Sequence, residues 1–449
     1  MIYKYHLVAD LLRRKIACGV YKSGEKLPSV QALSKELLYN SDTIVKAYKV
    51  LEAEHLIYSF PKSGYYVVKA SAAVKSRNEV IDMVTTGPPD YINPYKDFYH
   101  CMEKAISIYE KNLFEYSSAQ GMPELIHGLV KHLADFQVFT KPQNVFITNG
   151  SQQALYILAA ISFPNGRTKV LVEQPTYSVM LQVMKCTKTS VVGIRRTQEG
   201  INLNELESIF QQGDIKFFYT MPRYQNPSGF CYDVAQKKEI IRLAKKYEVY
   251  IVEDDYLADL ELDTKIDPMY AMGEQERMIY IRSFSKTLLP GLRLGMVILP
   301  RELQKEFLAY KQCIDLNSPI LTQGALEIYL HSSMYKFHVQ RTKKYYKEKM
   351  DVLREAIEQQ PNGLIKGNIP TTGIYACLEL NDVSAELLVN RLSKTKVLLS
   401  STNSCYIDGF PHRDALRLCV CKTEDDEIRR TIKLISEELS NLHSDRKSK

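Results

Sequence analysis

At 449 residues the chain is too long for one small core and suits two or three domains of roughly 100–200 residues each. Hydrophobic residues at 45 % and charged residues at 25 % are ordinary for a globular protein and exclude a disordered or fibrous architecture. The net charge of +7 is uneven: residues 1–70 hold eleven Lys/Arg against six Asp/Glu, so a polyanion partner is expected at that end. The first twenty residues carry Lys4, Asp10, Arg13, Arg14 and Lys15, and no later run approaches the roughly 20 apolar residues of a spanning helix, so a cytoplasmic protein with no membrane partner is expected. Nine cysteines without a CxxC pair and nine histidines without an HExxH spacing predict neither a disulfide framework nor a metal site.

In chain order, "YHLVADLLRRKIACGVY" has Leu7, Leu11, Leu12 and Ile16 at helical spacing and predicts a first helix. Ser29 is placed to cap a second, "VQALSKELL", whose apolar face is Val30, Leu33 and Leu37. Asn40 caps a third, "SDTIVKAYKVLEAEHL". There Ile44, Ala47, Tyr48 and Leu51 share one face, while Asp42, Thr43, Lys46 and Lys49 lie outside it. "LIYSF-PKSG-YYVV" then reads as a hairpin with Lys62 at its tip. Three helices and a hairpin, with the third helix basic on its open side, make a winged helix-turn-helix layout, whose last helix enters the major groove of double-stranded DNA.

The string "GEKLPSVQALSKELLYNSDTIVKAYKVLEAEHLI" closely resembles the DNA-binding domain of the GntR family, including Leu27-Pro28-Ser29, Thr43 and Ala47-Tyr48. The resemblance implies DNA contacts at Gln31 and Ser41, where the family usually carries arginines, and at Thr43, the candidate for a base edge. Lys46, Lys49 and Lys62 are candidates for phosphate, which positions the protein without specifying sequence.

"KASAAVKSRN" is small, polar and aperiodic, which sets the expected division: a winged helix at 1–69, a linker at 70–78 and a second unit at 79–449. In that unit "NVFITNG", "KVLVEQPTY", "KFFYTMP", "VYIVEDD" and "RMIYIRSFS" read as strands, with "SQQALYILAAISF" and "AQKKEIIRLAKKYE" as helices among them. Near-continuous apolar strands separated by helices predict an α/β unit, a mostly parallel sheet covered on both faces. Ligands in such sheets collect at the carboxyl ends of strands.

Those ends bring reactive groups together. "TNG-SQQ" offers backbone N–H groups at a helix start for an anion, near Gly150, Ser151 and Gln152. "VEDDY" ends a strand with Asp254, Asp255 and Tyr256, and "SFSK" ends another with two hydroxyls and Lys286, followed by Arg293. Phosphate donors, an acid, a phenol and a lysine fit pyridoxal 5'-phosphate (PLP), which needs a Schiff-base lysine, a carboxylate on its pyridine nitrogen and donors for its phosphate.

"SFSKTLLPGLRLG" resembles the Schiff-base motif of fold-type I aminotransferases, and "EQPTY" at 173–177, "NPSG" at 226–229 and "EDDY" at 253–256 stand in that family's order and spacing. The resemblance implies Lys286 as the PLP lysine and Asp254 as the pyridinium partner. It implies Tyr256 and Asn226 as donors to the ring oxygen, and Ser151, Gln152, Ser283 and Arg293 as the phosphate shell. Tyr177 is implied to stack on the ring, and Tyr116 to cross a dimer interface to the partner's phosphate. "ALRLCVC" resembles the strand of a smaller C-terminal subdomain whose arginine, here Arg417, grips a substrate carboxylate bidentately.

A GntR-like winged helix followed by a fold-type I aminotransferase-like domain is identified as the architecture of the MocR/GabR-type transcription regulators. It implies a homodimer that binds a DNA operator and senses an amine, an amino acid or PLP itself. The rival is an active PLP-dependent aminotransferase with a DNA-binding appendage, since no group that transamination needs is missing. A basic winged helix has no part in amino transfer, so regulation with little or no turnover is the favoured expectation. Some relatives that sense γ-amino acids carry an arginine two residues after the stacking tyrosine; here that position is Val179, so that ligand is not expected.

Overall fold

The computed structural model describes residues 4–447 apart from 23, 55, 61–62, 69–79, 264–265, 274, 361–364, 368 and 381–382. The expected linker, 70–78, and Lys62 lie outside the described residues. Among the described residues no helix is long and apolar enough to cross a membrane.

The N-terminal module is α1 (Lys4–Ala17), α2 (Val30–Leu37), α3 (Ser41–Ala53) and an antiparallel hairpin of β1 (Ile57–Phe60) and β2 (Gly64–Val67). Both expected caps form: Ser29 Oγ accepts from the Ala32 N–H and Asn40 Oδ1 from the Thr43 N–H, each replacing a helical partner that the first turn lacks. The expected face of α3 is buried in full, and the Tyr48 hydroxyl donates to the Pro28 carbonyl at 2.6 Å. The face expected of α1 is rotated: Val8, Ala9 and Leu12 are buried, whereas Leu7 is 49 % and Leu11 38 % exposed. The pairs Leu7/Leu11 and Val8/Leu12 lie one residue apart on the helix, so either half of the apolar stripe can face inward, and the small Ala9 lets α3 approach the second.

The second unit opens with β3 (Ile81–Asp82), α4 (Tyr95–Tyr109), α5 (Pro123–Ala134), β4 (Val145–Thr148) and α6 (Gly150–Ala160). Its strands continue as β5 (Lys169–Gln174), β6 (Val191–Thr197), β7 (Gly200–Ile201), β8 (Ile215–Thr220), β9 (Tyr250–Asp254), β10 (Met278–Ser283) and β11 (Gly295–Ile298). These seven and β4 form one sheet in the order β4-β11-β10-β9-β8-β5-β6-β7, parallel from β10 to β6, with antiparallel pairs only at β4·β11, β11·β10 and β6·β7. Phe217, Tyr219, Val252 and Ile281 enter one core cluster and Phe218, Ile251 and Tyr280 another. Alternate residues thus serve opposite faces, which is why the strands read as unbroken apolar runs.

The C-terminal part adds β12 (Ile365–Lys366), β13 (Tyr375–Leu380), β14 (Val397–Leu398), β15 (Ser400–Ser401) and β16 (Ala415–Cys419). It forms an antiparallel sheet β12-β13-β16-β15, with β14 paired to β3 beside it, so the segment after the linker belongs to this smaller subdomain. The fold-type I architecture expected from the motifs is the one observed.

The winged helix packs on the larger unit through β1. Tyr58 and Phe60 are buried in one cluster with Phe98 and Cys101 of α4, and the Tyr58 ring stacks on Tyr66 at 5.6 Å. The Ser59 N–H donates to Ser333 Oγ at 3.3 Å, and that hydroxyl donates to Glu52 of α3 at 3.1 Å. Tyr58 is buried here, and truncating a buried aromatic ring costs roughly 3–5 kcal/mol. Tyr58→Ala should therefore release the winged helix, giving a separate low-temperature transition in scanning calorimetry; a profile identical to the native one would show that this ring does not hold the contact.

Candidate functional site

The site lies where β10, β9 and β11 meet the start of α6. β10 carries Ser283 at its end, in register with Gly295 of β11, which is itself in register with Thr148 of β4. A Cβ on Gly295 would lie 2.8 Å from the Gly150 carbonyl carbon and 2.9 Å from the Ser151 nitrogen. Only glycine lets the strand approach that close to the helix start. One on Gly150 would lie 3.0 Å from the Arg293 guanidinium, which reaches the Asn149 carbonyl (3.4 Å) and Gln152 Oε1 (3.3 Å). Asn149 does not cap α6 with its side chain, which donates to Asp315 instead at 2.7 Å. An uncapped helix start with an arginine beside it has the donors and charge that suit an anion such as a phosphate.

Lys286 follows β10, and its Nζ donates to Thr86 Oγ1 at 2.7 Å, from the segment that links β3 to α4. Burial pushes its amine below the ordinary value; Cys421 and Cys419 oppose that, and Arg417 and Arg293 add to it. A less protonated amine is the better nucleophile toward an aldehyde. At the end of β9, Asp254 is buried and accepts from the Tyr219 hydroxyl at 2.9 Å, while its Oδ1 has no hydrogen-bond partner. Burial raises this carboxyl to about 7; Tyr219 and Lys286 work against the rise and Asp255 adds to it.

Around these groups the other expected residues gather. Tyr177 receives a bond from the Gln152 amide at 3.3 Å and lies within electrostatic reach of Asp254, Arg293 and Arg417. Arg417, on β16, stacks over Tyr375 at 5.1 Å, with Nε lacking a partner. Buried Asn226 likewise keeps Oδ1 unpartnered. The Tyr256 hydroxyl donates to the Tyr224 carbonyl at 2.6 Å, and Ser283 Oγ accepts from the Ser285 N–H at 3.3 Å. Tyr116 is not part of this pocket: it stands 89 % exposed. Asp255, one residue after the pocket acid, is a structural anchor that binds Arg223 and accepts from Tyr280 at 2.7 Å.

Thr86, Tyr219 and Tyr375 were not singled out in the sequence. Tyr219 sits near the end of a strand already read as such, so the strand-end rule reaches it. Thr86 lies in "TTGPP", where only a turn is legible.

On the winged helix, Gln31, Ser41, Lys46 and Lys49 are exposed and Thr43 is half-buried. Thr43 Oγ1 donates to Asn40, so its hydroxyl proton is engaged in the cap, leaving an acceptor oxygen for a base edge.

Two known families match the chain: "Bacterial regulatory proteins, gntR family" over residues 4–67 and "Aminotransferase class I and II" over 91–435. The uncharacterized HTH-type transcriptional regulator YcxD of Bacillus subtilis is 40 % identical over 97 % of this chain and all of its own length. YjiR of Escherichia coli, likewise an uncharacterized HTH-type regulator, is 25 % identical over 97 % of this chain and 98 % of its own. The chain belongs to the MocR/GabR-type transcription regulators. It binds DNA through its GntR domain. An aminotransferase from Saccharolobus solfataricus, also uncharacterized, matches the regulator at 30 % identity over 73 % of the chain and 83 % of its own. Among solved structures, the kynurenine aminotransferase of Pyrococcus horikoshii, determined with PMP, superposes with a TM-score of 0.75 over 83 % of this chain and 95 % of its own, at 24 % identity.

The regulator's pocket fits the expected cofactor. Its cup is one that added Cβ atoms would fill, its acid has a free oxygen, and its lysine is held away from solvent. In the cofactor-free regulator Asp254 is raised to about 7, whereas in the unfolded chain it titrates near ~4. An acid raised in the folded state loses stability as pH rises, here from about pH 4 to about 7, because the folded pocket resists a charge that the unfolded chain accepts. A pyridinium opposite Asp254 removes that loss. The gain in melting temperature on adding PLP should thus be larger at about pH 8 than at about pH 6 in the native chain, and the difference should vanish in Asp254→Asn; equal gains at both pH values in the native chain would contradict it.

Proposed function

We propose that this regulator holds PLP on Lys286, captures a small amine there, and converts that capture into altered operator binding by residues 1–69 of a cytoplasmic homodimer. When bound, the cofactor supplies an aldehyde carbon that a primary amine takes and a ring that withdraws electrons. The cup of Ser151, Gln152, Ser283 and Arg293 would anchor its phosphate, Asp254 would hold a proton on its ring nitrogen, and Tyr177 would cover its face. Asn226 offers an amide to the ring oxygen. Tyr256, whose hydroxyl donates to the Tyr224 carbonyl, would be the second donor to that oxygen.

The observation that carries the reading is the helix Ser333–Glu358, which touches both units. Its first residue, Ser333, bridges Ser59 of β1 and Glu52 of α3. Five residues on, His338 Nε2–H donates to the carbonyl of Thr287, the residue after Lys286. A ligand amine that took the place of the Lys286 amine would free this lysine, next to the residue that the helix holds. It shifts DNA binding only by its differential affinity for the two arrangements.

Arg417 supports a carboxylate-bearing amine as effector, since its half-buried guanidinium has an unpartnered Nε beside the lysine; PLP itself is the other candidate. Exposed apolar side chains on and after α4, Ile106, Ile108, Phe114 and Tyr116, support a dimer in which Tyr116 reaches the partner's phosphate cup. An aminotransferase reading draws on the same lysine and acid, yet it leaves the winged helix and its contact with Ser333 without a role.

Two tests follow from these contacts. Lys46→Ala and Lys49→Ala should weaken binding to any DNA sequence and each lower the slope of log affinity against log salt by about one unit, whereas Thr43→Ala should relax base preference. Salt slopes unchanged in both lysine variants would move the DNA surface elsewhere. Arg417→Ala should weaken an amino-acid effector by about ten- to a hundredfold, the loss of one hydrogen bond to a charged group, while PLP retention survives. An effector affinity that ignores this change would exclude Arg417 as the carboxylate clamp.

A further inference from the structure

Thr86 holds a place in the pocket that the proposed function leaves unused. Among the described residues Lys286 Nζ makes one hydrogen bond, to Thr86 Oγ1 at 2.7 Å. The charged and polar groups within electrostatic reach of that amine include Cys419, Cys421, Arg417, Arg293 and Asp254. Each of these has the wrong sign or is already engaged. The two guanidiniums repel an ammonium, the Cys419 thiol donates to the Thr85 carbonyl at 3.3 Å, and the Cys421 thiol meets Cys419 and Tyr346. Asp254 is the group that the ring nitrogen of the cofactor would take.

Thr86 reaches the lysine from the other half of the unit. Its segment belongs to the smaller subdomain, because β3 pairs with β14 and the Met83 carbonyl accepts from the Cys419 N–H of β16 at 2.9 Å. Lys286 follows β10 of the large sheet. The Thr85 backbone is fixed on both sides, its N–H donating to Asp82 at 2.9 Å and its carbonyl accepting from Cys419, so the neighbouring hydroxyl is held where the lysine finds it.

We propose that Thr86 receives the Lys286 amine when a ligand displaces it from the cofactor, and that the bond so formed ties the lysine loop to the smaller subdomain. This rests on the reading of Lys286 as the cofactor lysine. In the displacement the ligand nitrogen bonds the cofactor's aldehyde carbon, the bond from Nζ to that carbon breaks, and the hydrogens that the ligand amine gives up pass to Nζ, with no oxidant or reductant needed. Nζ is then an amine again. An amine left in this half-buried setting without an acceptor is costly, so the Thr86 hydroxyl favours the displaced state over the bonded one. The tie between the two subdomains exists only while the lysine is free of the cofactor.

The test uses the full chain loaded with PLP, with methylamine as the displacing amine. Borohydride fixes on the chain the PLP still bonded to Lys286, and mass spectrometry measures the fraction that carries it. Methylamine lowers that fraction saturably in the native chain. Thr86→Val, close in shape but without the acceptor, needs about tenfold more methylamine for half-displacement, whereas Thr86→Ser behaves as the native chain does. Thr86→Ala shows the same shift as Thr86→Val and carries the test if that variant does not fold. The proposal is overturned if the loaded variants without the hydroxyl release PLP at the native methylamine concentration or a lower one, or if Thr86→Ser shifts as far as Thr86→Val. A native chain on which borohydride fixes no PLP overturns the reading of Lys286 itself, and the proposal with it.

Discussion

The carbonyl of Thr287, held by the His338 imidazole, ties the lysine loop to the helix that also reaches the winged helix. It fixes the residue that follows Lys286 to a 26-residue helix whose first residue touches the winged helix. The surroundings are polar, buried and crowded: the Thr287 hydroxyl and Tyr335 both donate to Asp259, which also pairs with Arg282. Burial alone would push the Asp259 carboxyl up, but Arg282 and its other partners hold it below its ordinary value. These buried polar contacts tie the lysine loop to the helix, although two of the Arg282 guanidinium nitrogens lack a hydrogen-bond partner.

The same geometry explains why the pocket stands where it does. Parallel strands deliver Asp254 and Lys286 to one edge of the sheet, and Gly295 lets an antiparallel strand pass against the start of α6 so that the phosphate cup and the lysine face one space. The acid, the lysine and the arginine of the smaller subdomain come from segments far apart in the chain. What brings them together is the pairing of β13 with β16, which sets Arg417 opposite Cys377, and of β14 with β3, which brings Thr86 to Lys286.

Much of this was legible in the chain. Strand and helix types, both helix caps of the winged helix and the buried face of α3 follow from local periodicity and capping chemistry, which act over a few residues. The rotation of α1 was not, because a wide apolar stripe leaves two inward faces open and Ala9 decides between them only against α3. Thr86 and the Thr287–His338 contact were not, because each depends on a pairing made far along the chain. Arg196 was not singled out in the sequence. Its burial against Tyr232 exists only once β6 packs beside the segment that carries that ring.

The central claim, that occupancy at Lys286 governs the grip on DNA, is tested most directly by following visible absorbance and operator affinity in parallel while a panel of amino acids, amines and PLP is added to the native chain and to Lys286→Ala. The account predicts at least one compound that changes both readouts in the native chain and neither in the folded alanine variant. Rapid multi-turnover transfer of an amino group to an oxoacid, with operator affinity unmoved by every compound, would contradict it and make the chain an enzyme that carries a DNA-binding module.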